Sequence, residues 1–219
     1  RLASIVGHGE ALDRVGGGRR PEFDALFRVG AACPEFEASA RWERHAMQRM
    51  LKTFRRQVYP DGAYDELSPH YHMVAINRFE GFAQFAKQAG RQLPPDFREG
   101  LEAMHAYYAG LIRPDGSMPQ LNRADRDRPT ELLLRAAGRY DRPDWRYMVT
   151  AGREGTRPAD PPSRFFPWAG HLVSRDGWGE PALWSIFNAG PEGSRGVYAD
   201  ALHLSLTAFG KDFLLNSGR

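Results

Sequence analysis

The sequence predicts an α+β protein, with an incomplete α/α toroid of helix hairpins followed by the start of an antiparallel β-sandwich. Three observations predict this order. Apolar residues recur at helical spacing up to about residue 140 and at the two-residue spacing of strands after residue 160. Between these parts, residues 150–163 are rich in glycine, proline and charge. We therefore expect a helical domain over 1–140, a linker over 141–163 and a β-domain over 164–219.

Helical spacing, interrupted by proline or glycine turns, is found in the segments 22–32, 36–58, 71–89, 97–112 and 130–138. Three apolar stripes are expected to be packing faces: Met47, Met50, Leu51, Phe54 and Val58; Val74, Phe79, Phe82 and Phe85; and Leu101, Met104, Tyr108, Leu111 and Ile112. The connections between successive helices are short. This favours antiparallel neighbours, from which a toroid is built.

Strand patterns follow the linker. Short apolar runs cover residues 171–174 and 183–187, and a turn at Asp176-Gly177 separates them. Leucines then alternate with polar residues over 202–207, and Gly210 divides this run from residues 213–215. Such alternation is typical of antiparallel strands with one buried face.

The composition fits an enzyme but does not require one. Thirty lysines and arginines against 27 aspartates and glutamates give a net charge of +3, a mild preference for anionic partners. A single cysteine, Cys33, excludes an internal disulfide. No apolar run has the length of a membrane span, no signal peptide is visible, and we expect the chain to be a piece of a longer protein.

The densest group of titratable residues follows the second predicted helix. Pro60-Asp61-Gly62 predicts a turn, because proline fixes φ, aspartate can bond its own backbone and glycine supplies positive φ. The groups that come next are Glu66, Ser68, His70, Tyr71 and His72. Acid–base chemistry needs such groups at a helix edge that points into a groove.

An ordered set of motifs resembles the heparinase II/III-like polysaccharide lyases, which include oligoalginate lyases. The motifs, in the family's order, are Gly30 to Phe36 with Trp42; Asp61-Gly62 with Glu66-x-Ser68-Pro69-x-Tyr71-His72; Arg113-Pro114-Asp115-Gly116-Ser117; Phe166-Pro167-x-Ala169-Gly170; Arg175-Asp176-Gly177-Trp178; Asp200-Ala201-Leu202; and Gly210 with Leu214 to Gly218. They cover roughly residues 22–219. Each motif is weak alone, but the ordered set is fairly specific.

The resemblance implies cleavage of uronic-acid polysaccharides by β-elimination. In this reaction a base removes the C5 proton, an acid protonates the departing O4, and a donor neutralises the substrate carboxylate. The family's catalytic tyrosine matches Tyr71, and we assign His72 to catalysis with it. A phenol serves both roles when a positively charged groove favours its ionised form. The alternative for Tyr71 is a packing role at the start of a helix.

The sequence allows more than one role for the residues near Tyr71. His70 and His72 stand at i and i+2, so they cannot face the same way on a helix, and one of them can line the groove. We assign His70 to substrate binding. Glu66 is a substrate-binding candidate that can also hold Tyr71 or His72 in place, or cap the helix that starts near Pro69.

The chain departs from the family where the substrate carboxylate is bound. The family's Asn-His pair aligns with Gly17 and Gly18, which have no side chain for this task. His8, in Gly7-His8-Gly9-Glu10, is a candidate for a displaced remnant of that pair. Alternatively, Arg19 or Arg20 supplies the charge.

A second departure concerns metal. Where the family carries His-x-His before the position of Asp200, this chain has Gly196 and Tyr198, and Asn216 replaces the aspartate of the zinc site. An amide oxygen is a poor zinc ligand, so we predict no zinc at this site and no other cofactor. Tyr198 is kept as a substrate-binding candidate.

We therefore expect a polysaccharide lyase acting on an acidic polysaccharide, such as alginate or a glycosaminoglycan, with Tyr71 as the acid/base. The alternative is a non-catalytic carbohydrate-binding relative that has lost activity. No nucleic-acid partner and no membrane span are expected, and the oligomeric state is left open. The resemblance implies a periplasmic or secreted location.

Overall fold

A computed structural model describes residue 11, residues 20–194 and residues 201–216. Within this part of the chain, helices precede strands. The helices are α1 (Arg20–Ala32), α2 (Ser39–Gln57), α3 (Pro69–Gln88), α4 (Pro95–Leu111), α5 (Thr130–Arg139) and α6 (Pro143–Val149). The strands are β1 (Arg164–Phe166), β2 (His171–Arg175), β3 (Trp184–Asn188), β4 (His203–Ala208) and β5 (Lys211–Leu214). The predicted α+β class is confirmed, whereas the toroid stays a prediction.

The chain divides into two compact units. One comprises Arg1–Gln57 and Arg78–Arg98, and the other comprises Val58–Asn77 and Glu99–Arg219. The predicted domain and linker bounds stay predictions, although the segment predicted as a linker contains α6. None of the described helices is both long and apolar enough to cross a membrane.

The core of the first unit is aromatic. Phe54 packs on Phe79 and Phe97, with ring centroids 4.9 Å and 4.3 Å away, and Phe27 lies 5.0 Å from Phe82. The predicted stripe of α3 is therefore correct at Phe79 and Phe82. It is wrong at Val74, whose side chain is 49% exposed.

The second unit contains the sheet, whose strands are joined in the order β1-β2-β3-β4-β5, all antiparallel. The predicted alternation in β4 is present, but the polar residues Ser205 and Thr207 face the interior and Leu204 is exposed. Thr207 is accommodated there because its hydroxyl accepts a hydrogen bond from Nη2 of the buried Arg113 and donates one to Asp212, each at 2.8 Å. Polar pairing thus decides which face of β4 is buried.

The inner face of the sheet is tied to the end of α4. Nη2 of Arg175, in β2, donates to the carbonyl oxygens of Gly110 and Ile112 at 3.1 Å and 2.6 Å. The last carbonyls of a helix lack partners within the helix, and a cation there also complements the helix dipole. The predicted α4 stripe packs nearby, and all five of its residues are buried.

Candidate active site

The turn before α3 has the predicted geometry. Asp61 Oδ1 accepts a hydrogen bond from the backbone N–H of Ala63 at 3.2 Å, and Gly62 has a φ of +86°. Asp61 Oδ2 also accepts bonds from the N–H groups of Trp168 and Ala169, at 2.8 Å and 2.9 Å. The Asp-Gly pair therefore joins this turn to the β1–β2 connection, which is a structural task.

His72 lies in the interior, with an exposed fraction of 1%. Its Nδ1 accepts a hydrogen bond from the backbone N–H of Tyr64 at 3.2 Å, so Nε2 carries the proton that is donated to the carbonyl oxygen of Met104 at 2.9 Å. The ring stacks on Tyr108, with centroids 5.2 Å apart. Burial lowers the pKa of His72 to about 3, which keeps the ring neutral.

The catalytic assignment of His72 stays a prediction, and these contacts give the ring a structural role. Both ring nitrogens already have protein partners, and the ring is enclosed, so it has no free nitrogen to exchange a proton with a substrate. Its contacts instead join the turn before α3, the first turn of α3 and the middle of α4. The i and i+2 argument was right that the two histidines face different ways.

His70 lies on the opposite, half-buried side of the same helical turn. Its Nδ1 lies 2.9 Å from Oδ2 of Asp127 and 3.6 Å from Oδ2 of Asp125. Tyr71 is also half-buried, and its ring meets the His70 ring edge-on, with centroids 5.3 Å apart. Within the described part of the chain, no hydrogen bond reaches the Tyr71 hydroxyl. A phenol without a partner among the described residues is a candidate to bond a ligand.

The two aspartates belong to a segment outside the helices and strands, with the sequence Asp-Arg-Asp-Arg over 125–128. Its carboxylates turn toward His70, while Arg126 and Arg128 reach Asp115 at 2.9 Å and 3.4 Å. The two aspartates thus lie on one side of the segment and the two arginines on the other, as in a chain whose side chains alternate between its two sides. Sequence reasoning missed these aspartates, although the alternating signs were a visible signal of an extended segment.

Glu66 is half-buried at the end of the turn. Its Oε1 accepts a long hydrogen bond of 3.4 Å from the Tyr64 hydroxyl, and its carbonyl oxygen accepts one of 2.7 Å from the side chain of Asn122. These contacts link Glu66 to the loop after α4. Its assignment to substrate binding stays a prediction.

A second buried histidine, His171 in β2, lies beside Tyr107 of α4. His171 Nδ1 lies 2.8 Å from the hydroxyl oxygen of Tyr107, within hydrogen-bond distance, and burial lowers the pKa of His171 to about 4. His171 is thus a packed residue of β2. Burial also raises the pKa of Tyr107, so its hydroxyl remains a donor.

Several predicted residues lie outside the described residues: His8, Arg19, Gly196 and Tyr198. The side chain of Arg20 is likewise not described. The residue that neutralises the substrate carboxylate is therefore still a prediction. Of the altered zinc positions, Asn216 lies just beyond β5, and the absence of zinc stays a prediction.

The order of helices and antiparallel sheet is that of the polysaccharide lyases that combine a helical and a β region. The family model described as "Heparinase II/III N-terminus" matches residues 14–138, and the chain belongs to that family.

Individual relatives agree with this membership. The heparin-sulfate lyase of Bacteroides stercoris is 30% identical over 203 residues, covering 90% of this chain and 30% of that protein. The heparin-sulfate lyase of Pedobacter heparinus is 27% identical over 196 residues, covering 87% of this chain and 30% of that protein. The crystal structure of heparan sulfate lyase HepC from Pedobacter heparinus matches with a TM-score of 0.80 at 25% identity, over 99% of this chain and 36% of that one. The chain thus spans about a third of the length of these relatives.

Proposed function

We propose that this chain is part of a lyase that cleaves an acidic, uronic-acid-containing polysaccharide by β-elimination, with Tyr71 as the acid/base. The observation that carries the proposal is the setting of Tyr71. Its half-buried ring is held edge-on against the His70 ring at the first turn of α3, and its hydroxyl has no hydrogen-bond partner in the described residues. Acid–base catalysis requires a group that is both held in place and free to bond the substrate.

In the proposed reaction, ionised Tyr71 takes the proton from C5 of the uronic acid. The C4–O4 bond then breaks as the C4–C5 double bond forms, and the phenol returns the proton to O4. His70 and Glu66 are proposed to contact the sugar, and His8, Arg19 and Tyr198 are further candidates. His72 holds the first turn of α3 in place and is a positioning residue in this proposal.

The relatives named above are lyases of heparin or heparan sulfate, which favours a glycosaminoglycan over alginate as the first substrate to test. A polymer of this kind lies outside the cell, so we also propose a periplasmic or secreted location. Fractionation of the native host, followed by detection of the protein, tests the location. Recovery in the cytoplasm would contradict it.

The activity test follows ultraviolet absorbance, because elimination leaves a C4–C5 double bond and hydrolysis does not. The purified chain is incubated with heparan sulfate and, separately, with alginate. We expect absorbance to rise with heparan sulfate, and Tyr71→Phe to reduce the rate by about 10²–10⁴-fold. Tyr147→Phe is the matched control, because Tyr147 is also half-buried but lies on α6. A Tyr71→Phe variant with the rate of the wild type would reject the assignment.

The second candidate function is carbohydrate binding without catalysis. It is favoured by the departure from the family's Asn-His pair, since Gly17 and Gly18 have no side chain that neutralises a substrate carboxylate. Binding of a heparan sulfate oligosaccharide by calorimetry, with no rise in absorbance and only slight weakening in Tyr71→Phe, would support this candidate over the lyase.

A further inference from the structure

The contact between Asp127 and His70 fixes the proton of the imidazole. A carboxylate can only accept hydrogen bonds, so the Nδ1 atom that lies 2.9 Å from Asp127 Oδ2 carries hydrogen. In the neutral ring, Nε2 then has a free lone pair. Among the described residues, no hydrogen bond reaches Nε2 of His70.

Asp127 is itself held firmly. Its carbonyl oxygen accepts a 2.8 Å hydrogen bond from the backbone N–H of Met118. On the opposite side of the segment, Nη2 of Arg126 lies 2.9 Å from Asp115 and 3.1 Å from Asp212. Asp127 is therefore anchored through its own carbonyl oxygen and through its neighbour Arg126. Its side chain is only 20% exposed.

Asp125 gives an internal comparison. Its Oδ2 lies 3.6 Å from Nδ1 of His70, beyond hydrogen-bond distance, and its side chain is 43% exposed. A weak, exposed ion pair contributes little. The two aspartates thus have the same charge and neighbour but different geometry toward the imidazole.

We infer that Asp127 is a positioning residue that holds His70 as the Nδ1–H tautomer and presents Nε2 to a glycan bound beside Tyr71. In this inference Nε2 accepts a hydrogen bond from a sugar hydroxyl, and the edge-on contact of the two rings, with centroids 5.3 Å apart, keeps the imidazole beside the Tyr71 ring. This role rests on the proposed function, because the ligand it serves is the polysaccharide. Carboxylates commonly set histidine tautomers in this way.

The test measures the tautomer directly. Two-bond ¹H–¹⁵N correlation spectra of the whole 219-residue chain distinguish Nδ1–H from Nε2–H in the neutral ring. We expect His70 to be the Nδ1–H form in the wild type and in Asp127→Asn, whose amide oxygen still accepts the bond. Asp127→Ala should shift the ring to the Nε2–H form, whereas the matched control Asp125→Ala should not.

The same four proteins are titrated with a size-defined heparan sulfate hexasaccharide and assayed for turnover. Loss of one hydrogen bond to the ligand should raise Kd or KM about 5- to 10-fold in Asp127→Ala. Asp127→Asn should restore the value, and kcat should change less than KM.

The outcomes distinguish the role of Asp127 from the proposed function. An unchanged tautomer in Asp127→Ala, or a changed tautomer with an unchanged Kd, overturns the role of Asp127 while the proposed function stands. A wild type that keeps the Nδ1–H form but neither binds nor cleaves the hexasaccharide overturns the proposed function, and the positioning role with it.

Discussion

The first turn of α3 has a buried side, which carries His72, and a half-exposed side, which carries His70 and is here called the rim side. On the interior side, His72 is neutral, stacked and bonded through both nitrogens. On the rim side, His70 is bonded through Nδ1 to the carboxylate of Asp127, and no described residue bonds its Nε2. Two residues of the same type, two positions apart, thus differ in burial and in the number of nitrogens that are bonded. The comparison teaches that burial and partners decide the role of a titratable residue in this motif.

The largest effect is expected on the interior side, at Gly62. A Cβ there would lie 2.0 Å from the carbonyl oxygen of Ala103, and φ is +86°. Overpacking against backbone together with left-handed strain should make Gly62→Ala about 3–5 kcal/mol less stable, measured by urea unfolding. Gly90→Ala is the matched control, because Gly90 has a φ of +70° but no atom near its Cβ position. Equal losses in the two variants would contradict the packing argument.

The second prediction concerns pH. The pKa of His72 is lowered to about 3 in the folded state from 6.5 in the unfolded chain, so the unfolded state binds more protons between these values. The stabilisation is complete above about pH 6.5 and falls as pH decreases toward 3. His72 alone should remove about 3 kcal/mol by pH 4, and His171 acts in the same direction.

Urea unfolding between pH 7 and 4 checks this slope. His72→Gln removes the titrating group and keeps a polar side chain, so its stability should fall less steeply with acid. A variant slope as steep as that of the wild type would show that His72 does not titrate on unfolding.

A slightly smaller effect is expected from truncation at neutral pH. His72→Ala leaves the N–H of Tyr64 and the carbonyl oxygen of Met104 without their partner and opens a cavity, so we expect a loss of about 2–3 kcal/mol. His70→Ala, on the rim, should cost less, about 1 kcal/mol, because it removes the single hydrogen bond between Nδ1 and Asp127. Similar losses at both positions in urea unfolding would remove the contrast between the two sides.

The smallest effect on stability is expected at Tyr71. Its hydroxyl bonds to no described residue, so Tyr71→Phe should change the free energy of unfolding by less than about 0.5 kcal/mol. Urea unfolding at pH 7 measures this change beside the activity assay. A large loss of stability would mean that the phenol has a structural partner and would weaken its assignment as the acid/base.

Much of the fold followed from local patterns. The Pro60-Asp61-Gly62 turn, the α5 segment and the antiparallel strands are where the sequence predicted them, because turn chemistry and residue spacing act over a few residues. Two short elements were missed. β1 has three residues and α6 has seven, too few for a period to be recognised, and α6 lies in a stretch that was predicted as a linker.

The candidate site was less predictable, because its partners are distant in the chain. Asp127 is 57 residues from His70, and no local pattern links the two. The burial of His72 depends on α4, and the inward turn of Thr207 depends on Arg113, 94 residues away. The sequence predicted a cluster of titratable residues around Tyr71, whereas tertiary contacts decide which of these residues are buried and which partners they have.

The alternating segment at 125–128 makes the length of its loop a determinant of the site. Deleting one residue between Met118 and Asp125 would exchange the two sides of the segment. Arginines would then face His70, and aspartates would face Asp115. The composition of the loop would be almost unchanged, yet His70 would lose its hydrogen bond to Asp127 and the pairing with Asp115 would turn from attraction to repulsion. When related sequences are aligned, a gap at this loop therefore carries more information about the site than any single substitution in it.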